Sequence, residues 1–397
     1  MTVAAGLLVS TVCAQSPRRS RARQAPAPSK KVQSTAEFDQ TVKLGDEARL
    51  AGRLSEALDL YANALRIRPQ WPEGWWYVAT IFYDGDRFLE ARDAFRNLVV
   101  LDPKNGPAWG MLGLCEFQTR EYDRAIVSLQ RGRALGLRGN RELELVVRYH
   151  TAQLYIRLEE FEVAFEILSE FLRVGNESPK VIEAFGLTML RMPFLASEIP
   201  PDKREQVLIA GKAGFKMAAR QLDESRAALD ELLARYPDAP NVHYAFGVFL
   251  LKQDADAALG EFRRELEISP SHAPAMVQMA FEYLKRGEHS TALPFAEKAV
   301  QLAPKLFPAR NVLGRVLLEL GQVDRAAREL EEGVRLAPTS PEMHFALARA
   351  YTRLGRKEDA AREREIFKRL QDQFDAQRNA RAGVGDLTDS NQVKAKP

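Results

Sequence analysis

The sequence predicts an all-α solenoid built from antiparallel helix pairs. An interval of 34 residues separates equivalent glycines, alanines and prolines in the C-terminal part: Gly287, Gly321 and Gly355; Ala292, Ala326 and Ala360; Pro270, Pro304 and Pro338. The same interval separates Ala57, Ala91 and Ala125 near the other end. A fixed period of this size is typical of small repeated units that bury their apolar faces by stacking on one another.

Each repeated unit is predicted to contain two helices. In residues 38–71 the first helix is expected to end at Leu50, a turn to follow at 51–53, and the second helix to end at Arg68 because Pro69 cannot continue it. Small residues are expected where the two helices approach closely, as at Gly45 and Ala57. Large apolar residues recur at spacings of three and four around them.

These units resemble the tetratricopeptide repeat, whose pattern is W-x2-L-G-x2-Y, then A-x3-F, A and P. Residues 106–139 carry the pattern at Trp109, Leu112, Gly113, Ala125 and Leu129. Residues 307–340 carry it at Leu313, Gly314, Gly321, Ala326, Leu330 and Pro338. About nine units follow this frame, and the resemblance implies a right-handed superhelix without enzymatic activity.

The middle of the chain departs from the pattern. Four repeats are predicted over residues 36–178, a lone helix and a Pro-rich joint over 179–205, and five repeats with a capping helix over 206–380. Pro193, Pro200 and Pro201 lie in this joint. We expect the array to divide there, near residues 193–202, into two sub-solenoids.

The two ends are predicted to lie outside the repeats. Residues 3–14 form an apolar run of the length of a secretory signal, with cleavage after Ala14; a lipid anchor at Cys13 and a cytoplasmic tail are the alternatives. Cleavage implies a periplasmic or secreted protein, and otherwise we expect a cytoplasmic one. Residues 15–35 read as a disordered basic linker and residues 381–397 as a disordered tail.

Composition and motifs argue against several classes of function. Residues 1–31 hold six basic and no acidic side chains against a net charge of +3, so the remainder is mildly acidic and gives no reason to bind nucleic acid. Neither a phosphate-binding glycine loop nor a zinc motif is present. Cys115 reads as a core residue, and we expect no catalytic residue, metal site or cofactor.

The resemblance places the first helix of each pair on the concave wall, with the fifth, ninth, twelfth and thirteenth places of the repeat pointing inward. The predicted peptide-binding residues at these places are Trp76, Tyr83, Leu114, Phe117, Tyr149, Arg315, Arg349 and Arg353. Phe281, Asn311 and Phe345 occupy further inward places. Aromatic rings and arginines suit an extended or helical peptide of acidic character.

Two functions remain open on the sequence. The first is a non-enzymatic scaffold that binds a protein or peptide segment along the concave face. The second is an accessory subunit of a cell-envelope machine that exports a glycan or lipid polymer, in which the aromatic rings stack on sugars. The Lys and Asn pattern with which some tetratricopeptide proteins clamp a terminal carboxylate is absent from the corresponding places, such as Trp76 with Thr80.

Overall fold

The computed structural model describes residues 30–137, 139–175 and 177–389, and side chains for residues 34–137, 139–172, 175 and 177–376. Throughout this part of the chain the regular structure is helical. The predicted signal peptide, residues 15–29 of the linker and residues 390–397 of the tail lie outside it. The chain divides into two compact units, one that ends at Leu135 and one that begins at Gly136.

The first unit consists of three helix pairs. Its helices are α1 (Lys30–Leu50), α2 (Leu54–Ile67), α3 (Pro72–Asp84), α4 (Phe88–Leu101), α5 (Gly106–Gln118) and α6 (Tyr122–Leu135). Each odd-numbered helix packs on the helix that follows it. The turn predicted at 51–53 separates α1 from α2, so the predicted arrangement of this pair is confirmed.

The second unit continues the same design. Its helices before the joint are α7 (Arg141–Arg157), α8 (Phe161–Ser169) and α9 (Pro179–Met189). Those after the joint are α10 (Arg204–Ala218), α11 (Leu222–Arg235), α12 (Val242–Leu250), α13 (Ala255–Ile268), α14 (Ala273–Lys285), α15 (His289–Leu302), α16 (Phe307–Glu319), α17 (Val323–Leu336), α18 (Pro341–Arg353) and α19 (Lys357–Asp389). The predicted all-α solenoid of helix pairs is confirmed.

Both ends of the helical array reach further than the sequence suggested. Helix α1 begins at Lys30 and α19 ends at Asp389, so residues 30–35 and 381–389 are helical where disorder was expected. Adding a residue to an existing helix gains a hydrogen bond without a new nucleation cost, and neither segment contains a proline to stop it.

The repeated residues fill the places where paired helices cross. A Cβ atom added to Gly314 of α16 would lie 2.4 Å from the Cγ atom of Leu330 in α17, which is too close for any other residue. Ala292 and Ala326 are fully buried in the second helices of their pairs. Gly321 has φ of +76° in the turn between α16 and α17, a conformation that favours glycine.

The joint is packed more tightly than the sequence suggested, and α9 is not a lone helix. A Cβ atom on Gly186 of α9 would lie 1.9 Å from the carbonyl oxygen of Val207 in α10, and one on Gly211 would lie 2.0 Å from the oxygen of Ile182. The two backbones are therefore in contact. The chain divides at the loop after Leu135 and not near residues 193–202, where the predicted division is therefore wrong.

Two short 3₁₀ helices, Ala196–Glu198 and Pro201–Lys203, connect α9 to α10. The first of them is hydrogen-bonded to α7. The Ala196 backbone N–H donates to Oε1 of Gln153 at 2.8 Å, and Arg157 donates to Glu198 at 2.7 Å. The connection is thus held by hydrogen bonds as well as by its prolines.

A polar contact recurs where one repeat passes into the next. The side chain at the fourth place of the repeat donates to the backbone carbonyl six residues earlier, at 2.8 to 3.1 Å. The donors are Trp75, Trp109, His243, Arg310 and His344, and the acceptors are Pro69, Pro103, Pro237, Pro304 and Pro338. Each acceptor carbonyl lies two residues beyond the end of the preceding helix, and the contact gives this loop carbonyl a hydrogen-bond donor.

At His243 this contact depends on the charge of the ring. Nδ1 lies 2.6 Å from Oε2 of Glu261 and Nε2 lies 2.8 Å from the Pro237 oxygen, so both nitrogens face acceptors. Only the imidazolium can donate from both nitrogens. Burial opposes the charge, but the hydrogen bonds to Glu261 and Pro237 outweigh it and raise the pKa of His243.

We expect replacement of Gly186 by alanine to destabilise the second unit by about 3 kcal/mol, because the new methyl group overlaps the Val207 carbonyl. The measurement is the urea midpoint followed by circular dichroism. Gly260→Ala is the matched control: a Cβ there meets nothing within 4 Å, and the substitution in α13 should stabilise by about 0.5–1 kcal/mol. Equal midpoints for the two variants would contradict the α9–α10 contact.

We expect the stabilisation from His243 to depend on pH. A raised folded-state pKa means that the contribution is complete below the unfolded value of about 6.5 and disappears as pH rises through the folded-state pKa. Thermal melts of the wild type and Glu261→Gln across this range measure it. The difference in Tm should be largest at acidic pH and shrink at alkaline pH, and a constant difference would be inconsistent with an imidazolium.

Candidate functional site

The aromatic side chains predicted to line a groove in the first unit pack against neighbouring rings of their own helix pair. Trp76 meets Phe95 edge-on with ring centroids 5.7 Å apart. Tyr83 meets Phe88 at 5.5 Å, and burial raises the pKa of its hydroxyl. Each of these rings is half-buried and therefore contributes to packing within the pair.

The remaining predicted positions of the aromatic end also contribute to packing. Phe117 meets Tyr122 with centroids 5.6 Å apart. Leu114 is only 3% exposed and belongs to the core rather than to an open surface. In the second unit, Tyr149 packs edge-on against His150, and burial raises the pKa of its hydroxyl to about 12, with Glu183 adding to the effect.

The three predicted arginines, in contrast, come together on one surface of the second unit. Helices α14, α16 and α18 are the first helices of successive pairs, and α16 contacts both of the others. Their side chains form what we call the arginine face: Phe281, Asn311, Arg315, Glu319, Arg349 and Arg353. Three guanidinium groups and one carboxylate leave this face with a net positive charge at neutral pH.

Arg315 is half-buried on this face and has no carboxylate partner in the described part of the chain. Its guanidinium carbon lies 5.6 Å from the ring centroid of Phe281, within the range of a cation–π contact. Among the described residues it makes no hydrogen bond or ion pair. Burial and then the charge of Arg349 lower its pKa, against a smaller opposing effect of Glu319. Both effects mean that the charge of Arg315 is under-compensated in the free protein.

Arg349 and Arg353 share a single carboxylate. Nη2 of Arg349 donates to Oε1 of Glu319 at 2.8 Å, and Nη2 of Arg353 lies 3.5 Å from Oε2. Arg353 also donates to the backbone oxygen of Leu318. The hydrogen bond from Arg349 lowers the pKa of Glu319 despite partial burial, so the carboxylate is ionised at neutral pH.

Asn311 supplies an unused acceptor next to Arg315. It lies one helical turn before Arg315 on α16, and its side chain is only 6% exposed. Its Oδ1 atom has no hydrogen-bond donor among the described residues. A buried acceptor without a donor is costly unless a ligand or water satisfies it.

Sequence reasoning missed Glu319, although a signal for it exists. Glu319 occupies the thirteenth place of its repeat, the same inward place that Arg353 occupies in the next repeat. Comparing the same place in neighbouring repeats would have paired the two opposite charges. The acidic partner of the face could therefore have been found from the repeat frame.

Two open pockets elsewhere each have an arginine in their lining that is already paired with a glutamate. One, of about 440 Å³, lies between α2 and α3 and is lined by Leu58, Trp75 and Phe82 with Arg87 at its edge. The other, of about 530 Å³, lies along α15, α16 and α17. Arg87 bonds to Glu90 and, at the second pocket, Arg325 bonds to Glu297. Both arginines therefore already have a carboxylate partner, unlike Arg315.

The described residues offer little for catalysis. Cys115 is fully buried and burial raises its pKa to about 12, which disfavours the reactive thiolate. Within the described part of the chain, no three His, Cys, Asp or Glu side chains are arranged to hold a metal ion. The helices there also include none that is long and apolar enough to cross a membrane.

Comparison with known proteins identifies the repeat. The profile of the tetratricopeptide repeat family matches residues 42–106, 78–135, 216–273 and 311–380, which together exceed half of the chain. The match at 311–380 includes most of the arginine face.

Curated relatives share only part of their length with this chain. The general transcriptional corepressor trfA of Dictyostelium discoideum is 28% identical over 142 residues, covering 36% of this chain and 10% of the relative. The human protein O-mannosyl-transferase TMTC3 is 26% identical over 250 residues, covering 59% of this chain and 26% of the relative. The chain thus spans about a tenth to a quarter of their length.

Solved structures show a partial likeness. MamA from residue 41 to its end, from Desulfovibrio magneticus RS-1, is 22% identical, with a TM-score of 0.37, and the alignment covers 44% of this chain and 97% of that solved chain.

We expect Arg315 and Arg349 to differ in their effect on stability. Arg315→Met removes a half-buried cation that repels Arg349 and should stabilise the protein by about 0.5–1 kcal/mol. Arg349→Met breaks the hydrogen bond to Glu319 and should destabilise by a similar amount. Urea midpoints check both, and destabilisation by Arg315→Met would show that its charge is structural.

Proposed function

Because this chain belongs to the tetratricopeptide repeat family, we propose that it is a protein-interaction scaffold whose arginine face binds an acidic segment of a partner protein. The observation that carries the proposal is Arg315, a half-buried cation without a carboxylate partner among the described residues, placed beside a second arginine. Leaving such a charge uncompensated is unfavourable in the free protein. A carboxylate from a partner would compensate it.

The fold supports protein–protein interaction in general. Stacked repeats present extended surfaces made by successive first helices, and such solenoids are typically interaction scaffolds rather than enzymes. The regular residues of the repeat are consumed by packing, as at Gly314 and Ala326. The places that remain, such as those of Arg315 and Arg349, are those that can differ without disturbing the fold.

The side chains of the face match an acidic segment group by group. Guanidinium groups recognise carboxylates through paired, charge-assisted hydrogen bonds. The Phe281 ring offers an apolar surface beside Arg315. The face therefore provides complements for a carboxylate and for an apolar side chain.

The length of the face fits a short segment. Packed helices lie about 8–10 Å apart, so the path from α14 to α18 is about 20 Å. An extended chain advances about 3.3 Å per residue and would cross it in about six residues. A segment of this length with two acidic residues is sufficient to reach both Arg315 and Arg349.

The glycan-export alternative depends on exposed aromatic rings. Trp76, Tyr83 and Phe117 each pack against another ring of their own unit, which weakens the argument for stacking on sugars. Acidic recognition by the second unit is the function that the described contacts support better.

We expect an acidic peptide to bind and its affinity to depend on Arg315 and Arg349. The probe is a fluorescein-labelled octapeptide with two glutamates and one phenylalanine in an alanine–serine background and an amidated C terminus, followed by fluorescence anisotropy at about 0.15 M salt, where the Debye length is about 8 Å. The double variant Arg315→Gln/Arg349→Gln should bind at least about tenfold more weakly, because charge-assisted hydrogen bonds are lost.

The control has the same charge change on the second helices of the same unit. Arg226→Gln/Arg264→Gln removes two exposed arginines of α11 and α13 and should leave binding within about twofold, since long-range charge is screened. Equal losses in the two double variants would indicate net charge alone. Failure of the wild-type protein to prefer the peptide over its glutamine counterpart would sink the proposal.

A further inference from the structure

The carboxylate of Glu319 occupies the positions that a bound acidic side chain would take on two of the three arginines. Its Oε1 atom accepts from Arg349 at 2.8 Å, and its Oε2 atom lies 3.5 Å from Arg353. The hydrogen bond from Arg349 keeps it ionised. Glu319 thus resembles a ligand carboxylate that is supplied by the protein itself.

This internal pair is open to exchange. The side chain of Glu319 is 27% exposed, and those of Arg349 and Arg353 are 38% and 39% exposed. Ion pairs with this much solvent access contribute little net stability. An external carboxylate can therefore compete for Arg349 without dismantling the fold, whereas it meets no carboxylate competitor at Arg315.

Resting on the proposed function, we propose that Glu319 is a built-in competitor that sets how acidic a segment must be in order to bind. A segment with one carboxylate reaches Arg315 but is repelled by the nearby charge of Glu319. A segment with two closely spaced carboxylates neutralises Arg315 and also displaces Glu319 from Arg349. The free protein then binds weakly acidic sequences with low affinity, because the Glu319 carboxylate already neutralises part of the positive charge of the face.

Charges around the face agree with this division of roles. Glu319 raises the pKa of Arg315 through its charge, without a hydrogen bond to it. Glu319 therefore partly compensates the charge of Arg315 in the free protein. The neighbouring acid Glu282 is committed to Lys285 and Arg286 at 2.6 and 3.2 Å. Glu319 is the acid whose contacts lie on the arginines of the face itself.

The test compares the diglutamate octapeptide with a monoglutamate version in which the second glutamate is glutamine. Both are titrated into the wild type and Glu319→Gln by fluorescence anisotropy. We expect the substitution to raise affinity for the monoglutamate peptide about three- to fivefold, the scale of an exposed ion pair. The ratio of the diglutamate affinity to the monoglutamate affinity should therefore be smaller for Glu319→Gln than for the wild type.

Glu297→Gln is the matched control. Glu297 of α15 accepts from Arg325 of α17 at 2.7 Å, so the variant removes one charge and one interhelical ion pair away from the arginine face. It should leave both affinities unchanged. Thermal melts of all variants establish that they are folded.

The outcomes separate this inference from the function on which it rests. If the wild type binds the diglutamate peptide and Glu319→Gln binds the monoglutamate peptide no better, Glu319 is a structural brace and the competitor role is wrong. If Glu297→Gln gives the same gain, net charge accounts for it and the role is again wrong. If neither peptide binds the wild type or Glu319→Gln, the acidic-segment function itself is wrong.

Discussion

The close approach of paired helices is the constraint on which this structure depends. A helix pair cannot bury its apolar side by itself, so each pair must meet its neighbours at short range. The approach requires a small residue opposite a large one: Gly45 faces Tyr61, and Gly314 faces Leu330. At α9 and α10 the approach brings backbone against backbone at Gly186 and Gly211. Packing at this density leaves no room for substitution at these points.

Apolar packing stabilises the middle of each helix pair, whereas hydrogen bonds stabilise the connections between successive repeats. The carbonyl at the end of one repeat accepts a hydrogen bond from the side chain at the fourth place of the next, whether that side chain is Trp109, His243 or Arg310. Three unrelated side chains perform the same task because the task requires only an N–H at the right distance. The imidazole alone adds a dependence on pH.

The arginine face is informative about function because its charges are not all paired within the fold. Most charged side chains along the array are paired within or between helices, as Arg310 is with Glu329 and Arg325 with Glu297. Pairs of this kind keep a helical surface soluble and carry no information about a ligand. A half-buried arginine next to another arginine has no such role, and the acceptor of Asn311 beside it lacks a donor among the described residues. Arg315 and Asn311 are therefore groups that the fold itself leaves without a partner among the described residues.

The sequence by itself determined the repeat and turns such as that at residues 51–53, because these depend on local spacing. Turn glycines such as Gly321, helix-ending prolines and buried alanines act within a few residues of their own position. The placement of Arg315, Arg349 and Arg353 on one face followed from the same frame.

Only the tertiary structure decided which inward places are open and which opposite charges meet. Leu114 and Arg315 occupy the same place in their repeats. Leu114 is buried, whereas Arg315 carries a charge that is unpaired among the described residues. The contact between α9 and α10 and the pairing of Glu319 with Arg349 join residues from different helices. Such contacts depend on how whole helices are placed against one another, which the spacing of residues along a single helix does not specify.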